Sequence, residues 1–141
     1  MRPKINIVTL GVRDFQASLR FYKDGLGWNT SSASNENIAF FSLGGLVLAL
    51  YPREALAADA KVSSNGSGFT GITLAYNAKS VEEVDEVLRH AERLGALIVK
   101  EAENVFWGGY SGYFADLDGH LWEVAYNPYF DFDENDNLVL P

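Results

Sequence analysis

The sequence predicts an α+β protein made of two βαβββ modules whose mixed sheets share a cup. Three observations carry this: each half opens on a β-branched run, each run leads into a capped amphipathic helix, and each helix is followed by three short strand-like segments. In the first half Ile5–Val12 is the opening strand and Asp14 the helix N-cap, ahead of Phe15, Leu19, Tyr22 and Leu26 at helical spacing. That helix stops at Gly25 or Gly27. Strands are expected at Trp28–Ser34, Ile38–Leu43 and Leu46–Tyr51, with turns at Asn35-Glu36-Asn37 and Gly44-Gly45.

The second half repeats the order. Phe69–Tyr76 reads as a strand, and Ser80 with Glu83 has capping-box spacing ahead of a helix carrying Val81, Val84, Leu88, Ala91 and Leu94. Gly95 ends that helix. Leu97–Glu101, Tyr110–Asp116 and Leu121–Tyr126 are the remaining strands, the last two joined at Asp118-Gly119. Thr9-Leu10 recurs as Thr73-Leu74, and Leu26-Gly27 as Leu94-Gly95. The expected boundaries are residues 1–53 for the first module, 54–68 for a linker with a short helix at Glu54–Ala60, 69–128 for the second module and 129–141 for an acidic tail. Modules of this size bury too little surface alone, so the pair is expected to enclose its ligand site between two sheets.

Composition narrows the partners. The chain has 141 residues, 19 acidic against 11 basic side chains and a net charge of −8. Phosphate binding draws on clustered Lys and Arg, so nucleic acid is not an expected partner, and no basic amphipathic face suits an anionic membrane. There is no cysteine, which removes disulfides, thiolate metal sites and cysteine nucleophiles by counting. The N-terminal stretch has no apolar signal region, and the expected location is the cytoplasm. Four of the acids, Asp131, Asp133, Glu134 and Asp136, stand in the tail, where Phe130, Phe132, Leu138 and Leu140 offer apolar contacts to a neighbour. Glu82, Glu83, Asp85 and Glu86 crowd the start of the second helix and complement its dipole.

Residues 7–28, IVTLGVRDFQASLRFYKDGLGW, and 114–124, FADLDGHLWEV, resemble the vicinal oxygen chelate superfamily, which includes glyoxalase I, extradiol dioxygenases and bleomycin-resistance proteins. The resemblance spans residues 4–130 and implies a pair of βαβββ modules, commonly a homodimer. Metal-dependent members take one ligand from the first and one from the last strand of each module, as His, Gln or Glu. Carried onto this sequence, those positions fall on Ile7, on Ala49 (or Leu48 in the neighbouring register), on Gly71 and on Glu123. Only Glu123 can ligate, so no metal site is predicted and no cofactor is expected, although a divalent ion stays open. The histidines, His90 on the polar side of the second helix and His120 in the last turn, do not complete a set.

The candidate ligand-binding residues are Glu123, Trp107, Tyr110, Thr9, Thr73, Tyr51 and Tyr76. Alternation sets Leu121, Glu123 and Ala125 on the cup face of the last strand, where a carboxylate could accept a proton or pair with a cation; in an enzyme Glu123 would be the catalytic group. Phe106, Trp107, Tyr110 and Tyr113 lie in a glycine-rich stretch able to wall a planar ligand, with Trp107 the favoured contact. Thr9 and Thr73 share the parity of the cup face, and Tyr51 and Tyr76 stand near strand ends. The function expected is metal-independent binding of a small organic molecule, aromatic or cationic. The alternatives are a glyoxalase, lyase or dioxygenase-type enzyme and a protein-interaction or regulatory module.

Overall fold

The computed structural model describes residues 1, 6–61, 63–66, 68–70 and 72–139. The chain divides into two compact units, Met1–Gly68 and Phe69–Pro141.

In the first unit, β1 (Ile7–Val12) runs parallel to β3 (Leu46–Pro52), and β3 runs antiparallel to β2 (Ala39–Leu43), giving the order β1-β3-β2. Leu10, Val12, Leu48, Leu50 and Phe41 are buried, and Phe41 meets the Tyr22 and Trp28 rings of the helical layer at 6.2 and 5.9 Å. Asp14 caps α1 (Phe15–Leu19) as expected, its carboxylate accepting from the Ala17 N–H at 2.9 Å. The helix then widens into a π-helical segment, Arg20–Gly25, closed by the Leu26 N–H donating to the Phe21 carbonyl. This extra residue per turn buries Phe21 and Tyr22 together.

The strand expected at Trp28–Ser34 does not form. Only one bridge, Thr30 to Phe41, joins it to β2, because Ser34 Oγ accepts the Phe40 N–H at 2.9 Å and takes the place of a ladder carbonyl. The segment edges the sheet as a loop, turned by Asn35, whose side chain accepts from the Asn37 and Ile38 amides. Gly44, at φ +75°, makes the two-residue hairpin to β3. The linker helix is α2 (Arg53–Asp59), which belongs to the first unit and packs on β1 and β3. Gly11 admits it: a Cβ there would lie 3.2 Å from the Arg53 backbone.

The second unit has the four-stranded order β4-β7-β6-β5, from β4 (Leu74–Ala78), β5 (Leu97–Asn104), β6 (Tyr110–Ala115) and β7 (Leu121–Tyr126). The opening strand starts at Leu74 rather than Phe69, since its parallel partner β7 begins only at Leu121 and the register pairs Leu74 with Trp122. Ser80 caps α3 (Val81–Arg93), which buries Val84, Leu88 and Ala91 against β6 and β7, and Gly95 leaves the helix at φ +98°. Gly112 brings β6 under the helix and against β5, where a Cβ would stand 2.7 Å from Leu88 and 2.8 Å from the Lys100 carbonyl. The tail is exposed almost throughout and turns back on itself, β8 (Asp131–Phe132) and β9 (Leu138–Val139) forming a small hairpin.

Candidate functional site

In the second unit, the face of the sheet turned away from α3 carries the sharpest group. Trp122 and Val124 are buried on the helix side, and alternation puts Glu123 on the other face. Its register partners are Tyr113 on β6 and Ala75 on β4, flanked by Ser111, Ala125 and Asn77. Glu123 and Tyr113 are half-buried, whereas Ser111 and Ala125 are buried. Burial, followed by the charge and then the hydrogen bond of Glu123, pushes the Tyr113 phenol up from its ordinary value. The phenol is thereby held in its protonated form beside the carboxylate. In the sequence Tyr113 stands only as one of four aromatics in the glycine-rich stretch and not among the candidate contacts; the tight β6–β7 hairpin holds the signal, because it sets Tyr113 and Glu123 opposite each other.

That hairpin is built firmly. The Asp116 N–H donates to the His120 carbonyl, and Asp116 Oδ1 accepts from the Asp118 and His120 amides, each at 2.9 Å. Asp116 is buried, and His120 Nδ1 lies 2.9 Å from Asp116 Oδ2. His120 does serve the turn, but through this side-chain pair as well as its backbone.

Two of the expected ligand contacts face elsewhere. Tyr110 pairs with Tyr126 on the helix side, and its hydroxyl donates to Asp85 of α3 at 2.9 Å, which corrects its expected place on the cup face. Tyr76 shares that side with Val124 and donates to Glu83. Burial first, then the bond to Glu83, pushes the Tyr76 phenol up to about 12. Two acids of the helix start thus have structural work: the Ser80 hydroxyl accepts the Glu83 N–H, and the Glu83 carboxylate accepts the Lys79 N–H, one residue before the cap, at 2.7 Å. Trp107, half-buried in the β5–β6 loop, lies flat on the backbone of Gly109, so that a Cβ at Gly109 would fall within the indole ring. Phe106 beside it is fully exposed.

In the first unit Thr9 pairs with Ala49 and Gly11 with Tyr51, all on the face opposite Leu10 and Leu50. Thr9 and Tyr51 are half-buried, and Ala49 is fully buried. Thr9–Ala49 corresponds in register to Ala75–Glu123 in the second unit. The Asp14 and Ser80 caps and the Thr9 and Ala75 positions are both 66 residues apart. The units therefore superpose Thr9 on Ala75 and Ile7 on Thr73, two residues from the alignment suggested by the repeated Thr-Leu pairs. Ala49, not Leu48, is the counterpart of Glu123. Gly71 lies outside the described residues, and Thr73 is exposed just before β4.

The donor set does not fit a divalent ion. Ile7, Ala49 and Thr73 offer one hydroxyl between them, and no group of three or more His, Cys, Asp or Glu side chains converges among the described residues. No helix among them is long and apolar enough to cross a membrane.

Comparison with known proteins agrees with this fold. The family model of the Glyoxalase/Bleomycin resistance protein/Dioxygenase superfamily matches residues 4–124. The chain belongs to that superfamily. Among particular proteins, it is 32% identical to the glyoxalase-related enzyme from Fulvimarina pelagi, with a TM-score of 0.87 and 98% of each chain covered. It is 30% identical to the YraH protein of Bacillus subtilis (strain 168), over 86% of this chain and 96% of YraH. The lactoylglutathione lyase of Agrobacterium tumefaciens shares the fold at 24% identity and a TM-score of 0.68, covering 94% of this chain and all of the lyase.

Proposed function

We propose that the chain is a metal-independent binder of a small organic molecule, one that presents an N–H or cationic group to Glu123. The observation that carries this reading is the Tyr113–Glu123 pair between the uncharged positions Ala75, Asn77, Ser111 and Ala125, with Lys100 of β5 beyond Tyr113 and engaged by Glu103 at 3.2 Å. A half-buried carboxylate beside one phenol has acceptor sites left over, its partners on β4 and β6 carry no cation, and Lys100 on β5 is paired with Glu103. A ligand cation or N–H supplies the missing partner. Trp107 of the same unit is the further contact we assign, within a homodimer in the cytoplasm.

The test is elemental analysis of protein purified without added metal, alongside thermal-shift titration with cationic aromatic compounds. The expected result is less than stoichiometric metal, saturable stabilisation by a cationic aromatic, and a loss of about 10-fold or more in affinity for Glu123→Gln. Stoichiometric Ni, Zn, Mn or Fe supporting turnover would overturn it. That outcome is the second reading, an enzyme acting on a small oxygenated substrate, and the 32% identity to a glyoxalase-related enzyme favours it.

A further inference from the structure

A second cleft lies at the far end of β7 within the second unit, between the sheet and the tail hairpin. Its volume is about 410 Å³, within the range of small-molecule pockets, and Tyr126, Asn127, Phe130, Phe132, Asp133 and Lys79 line it. Tyr126, Phe130 and Phe132 make its wall aromatic. Lys79 is the cation among them, and its Nζ stands 5.6 Å from the centre of the Phe132 ring.

The charges around Lys79 are committed in an uneven way. Asp133 turns into its own loop, where Oδ1 accepts from the Asn135 and Asn137 amides at 2.8 Å and Oδ2 from the Asn137 side chain at 2.9 Å. Glu83 is held by the Tyr76 hydroxyl and the Lys79 backbone N–H. Among the described residues, Asp136 is the one that pairs with the ammonium itself. Both members of that pair are more than half exposed, and Asp136 sits at the exposed hairpin turn, where a single surface ion pair contributes little. A carboxylate of the chain thus occupies the cation of an aromatic-lined cleft through a contact that is easily exchanged.

We infer that this cleft binds a small aromatic carboxylate, whose ring lies among Tyr126, Phe130 and Phe132 and whose carboxylate replaces Asp136 on Lys79. The β8–β9 hairpin is then an internal competitor: binding requires Asp136 to leave, and the apparent affinity is reduced by the fraction of molecules in which it is seated.

Benzoate tests this, titrated against the full chain with amide NMR shifts as the readout and benzamidine as the cationic control. Lys79→Ala should weaken benzoate about 10-fold, and Asp136→Asn, which removes the competitor, should strengthen it about threefold. Shifts should centre on residues 126–133. Tighter binding of benzamidine than of benzoate, or unchanged affinity in both variants, would overturn the proposal. Loss of benzoate binding in Glu123→Gln with none in Lys79→Ala would also overturn it, by assigning the binding to the sheet face. Because the two sites use different residues, failure at the cleft leaves the Glu123 reading standing, and the reverse is equally true.

Discussion

Tyr113, Tyr110 and Tyr76 all end on a carboxylate, yet only Tyr113 does so on the face away from α3. Tyr110 and Tyr76 fasten the helix start to the sheet through Asp85 and Glu83. For Tyr76 this has a measurable sign. A phenol whose folded value lies above its unfolded one stabilises the fold below the unfolded value, and that contribution fades as pH rises from 10.0 towards about 12. Near-ultraviolet titration should therefore show a late-ionising tyrosine that disappears in Tyr76→Phe, and the alkaline loss of stability should be shallower in that variant. An unchanged alkaline limb would contradict the assignment. At this scale Glu123 was legible, because strand alternation alone fixes its side of the sheet. The start of β6 at Tyr110 was legible too, but its place in the glycine-rich run groups Tyr110 with Trp107, and only the pairing with Tyr126 and the bond to Asp85 show that it faces α3.

Among the elements, β6 is the most tightly constrained, with α3 above it and β5 beside it at Gly112. Gly112→Ala should destabilise the protein by about 2–4 kcal/mol in a denaturant titration, since two of the three nearest atoms are backbone and cannot turn aside. Gly45→Ala, with nothing within 4 Å, is the matched control and should cost much less. The β8–β9 hairpin has the opposite character, being almost entirely exposed and held by Asp133. The Asn137 side chain first, then the Asn137 and Asn135 amides, lower the Asp133 pKa from its ordinary value. The support it gives is present above the ordinary carboxylate range and is lost as pH falls through the depressed value. Amide exchange at Asn135 and Asn137 should accelerate there, while α3 stays protected. The helices were legible from their caps, Asp14 and Ser80. The Trp28–Ser34 strand was not, since β-propensity cannot reveal that a serine hydroxyl will take the ladder bond offered by Phe40.

On the scale of the whole chain, the two-unit division could be read from the repeated order of elements, but its alignment could not. Matching Thr-Leu pairs suggested one interval, and the helix caps and strand registers give another, because a two-residue likeness is weaker than a hydrogen-bonded ladder. The net charge of −8 and pI near 4.6 set the bulk behaviour. Light scattering should rise as pH approaches 4.6 and fall again on the acid side, reflecting lost and then restored repulsion. Charge is not the chain's only safeguard against self-association. β5 is the edge of its four-stranded sheet, and Leu97 and Val99 on it are 68% and 52% exposed. Its pairing with β6 slips twice, between Ile98 and Lys100 and again between Lys100 and Glu103. A strand that bends out of register offers an incoming strand no straight row of amides and carbonyls, and Lys100, Glu101 and Glu103 add charges along the same rim. The irregularity of β5 thereby works as a stop signal against fibrillar growth: straightening it would convert a finished sheet into a template.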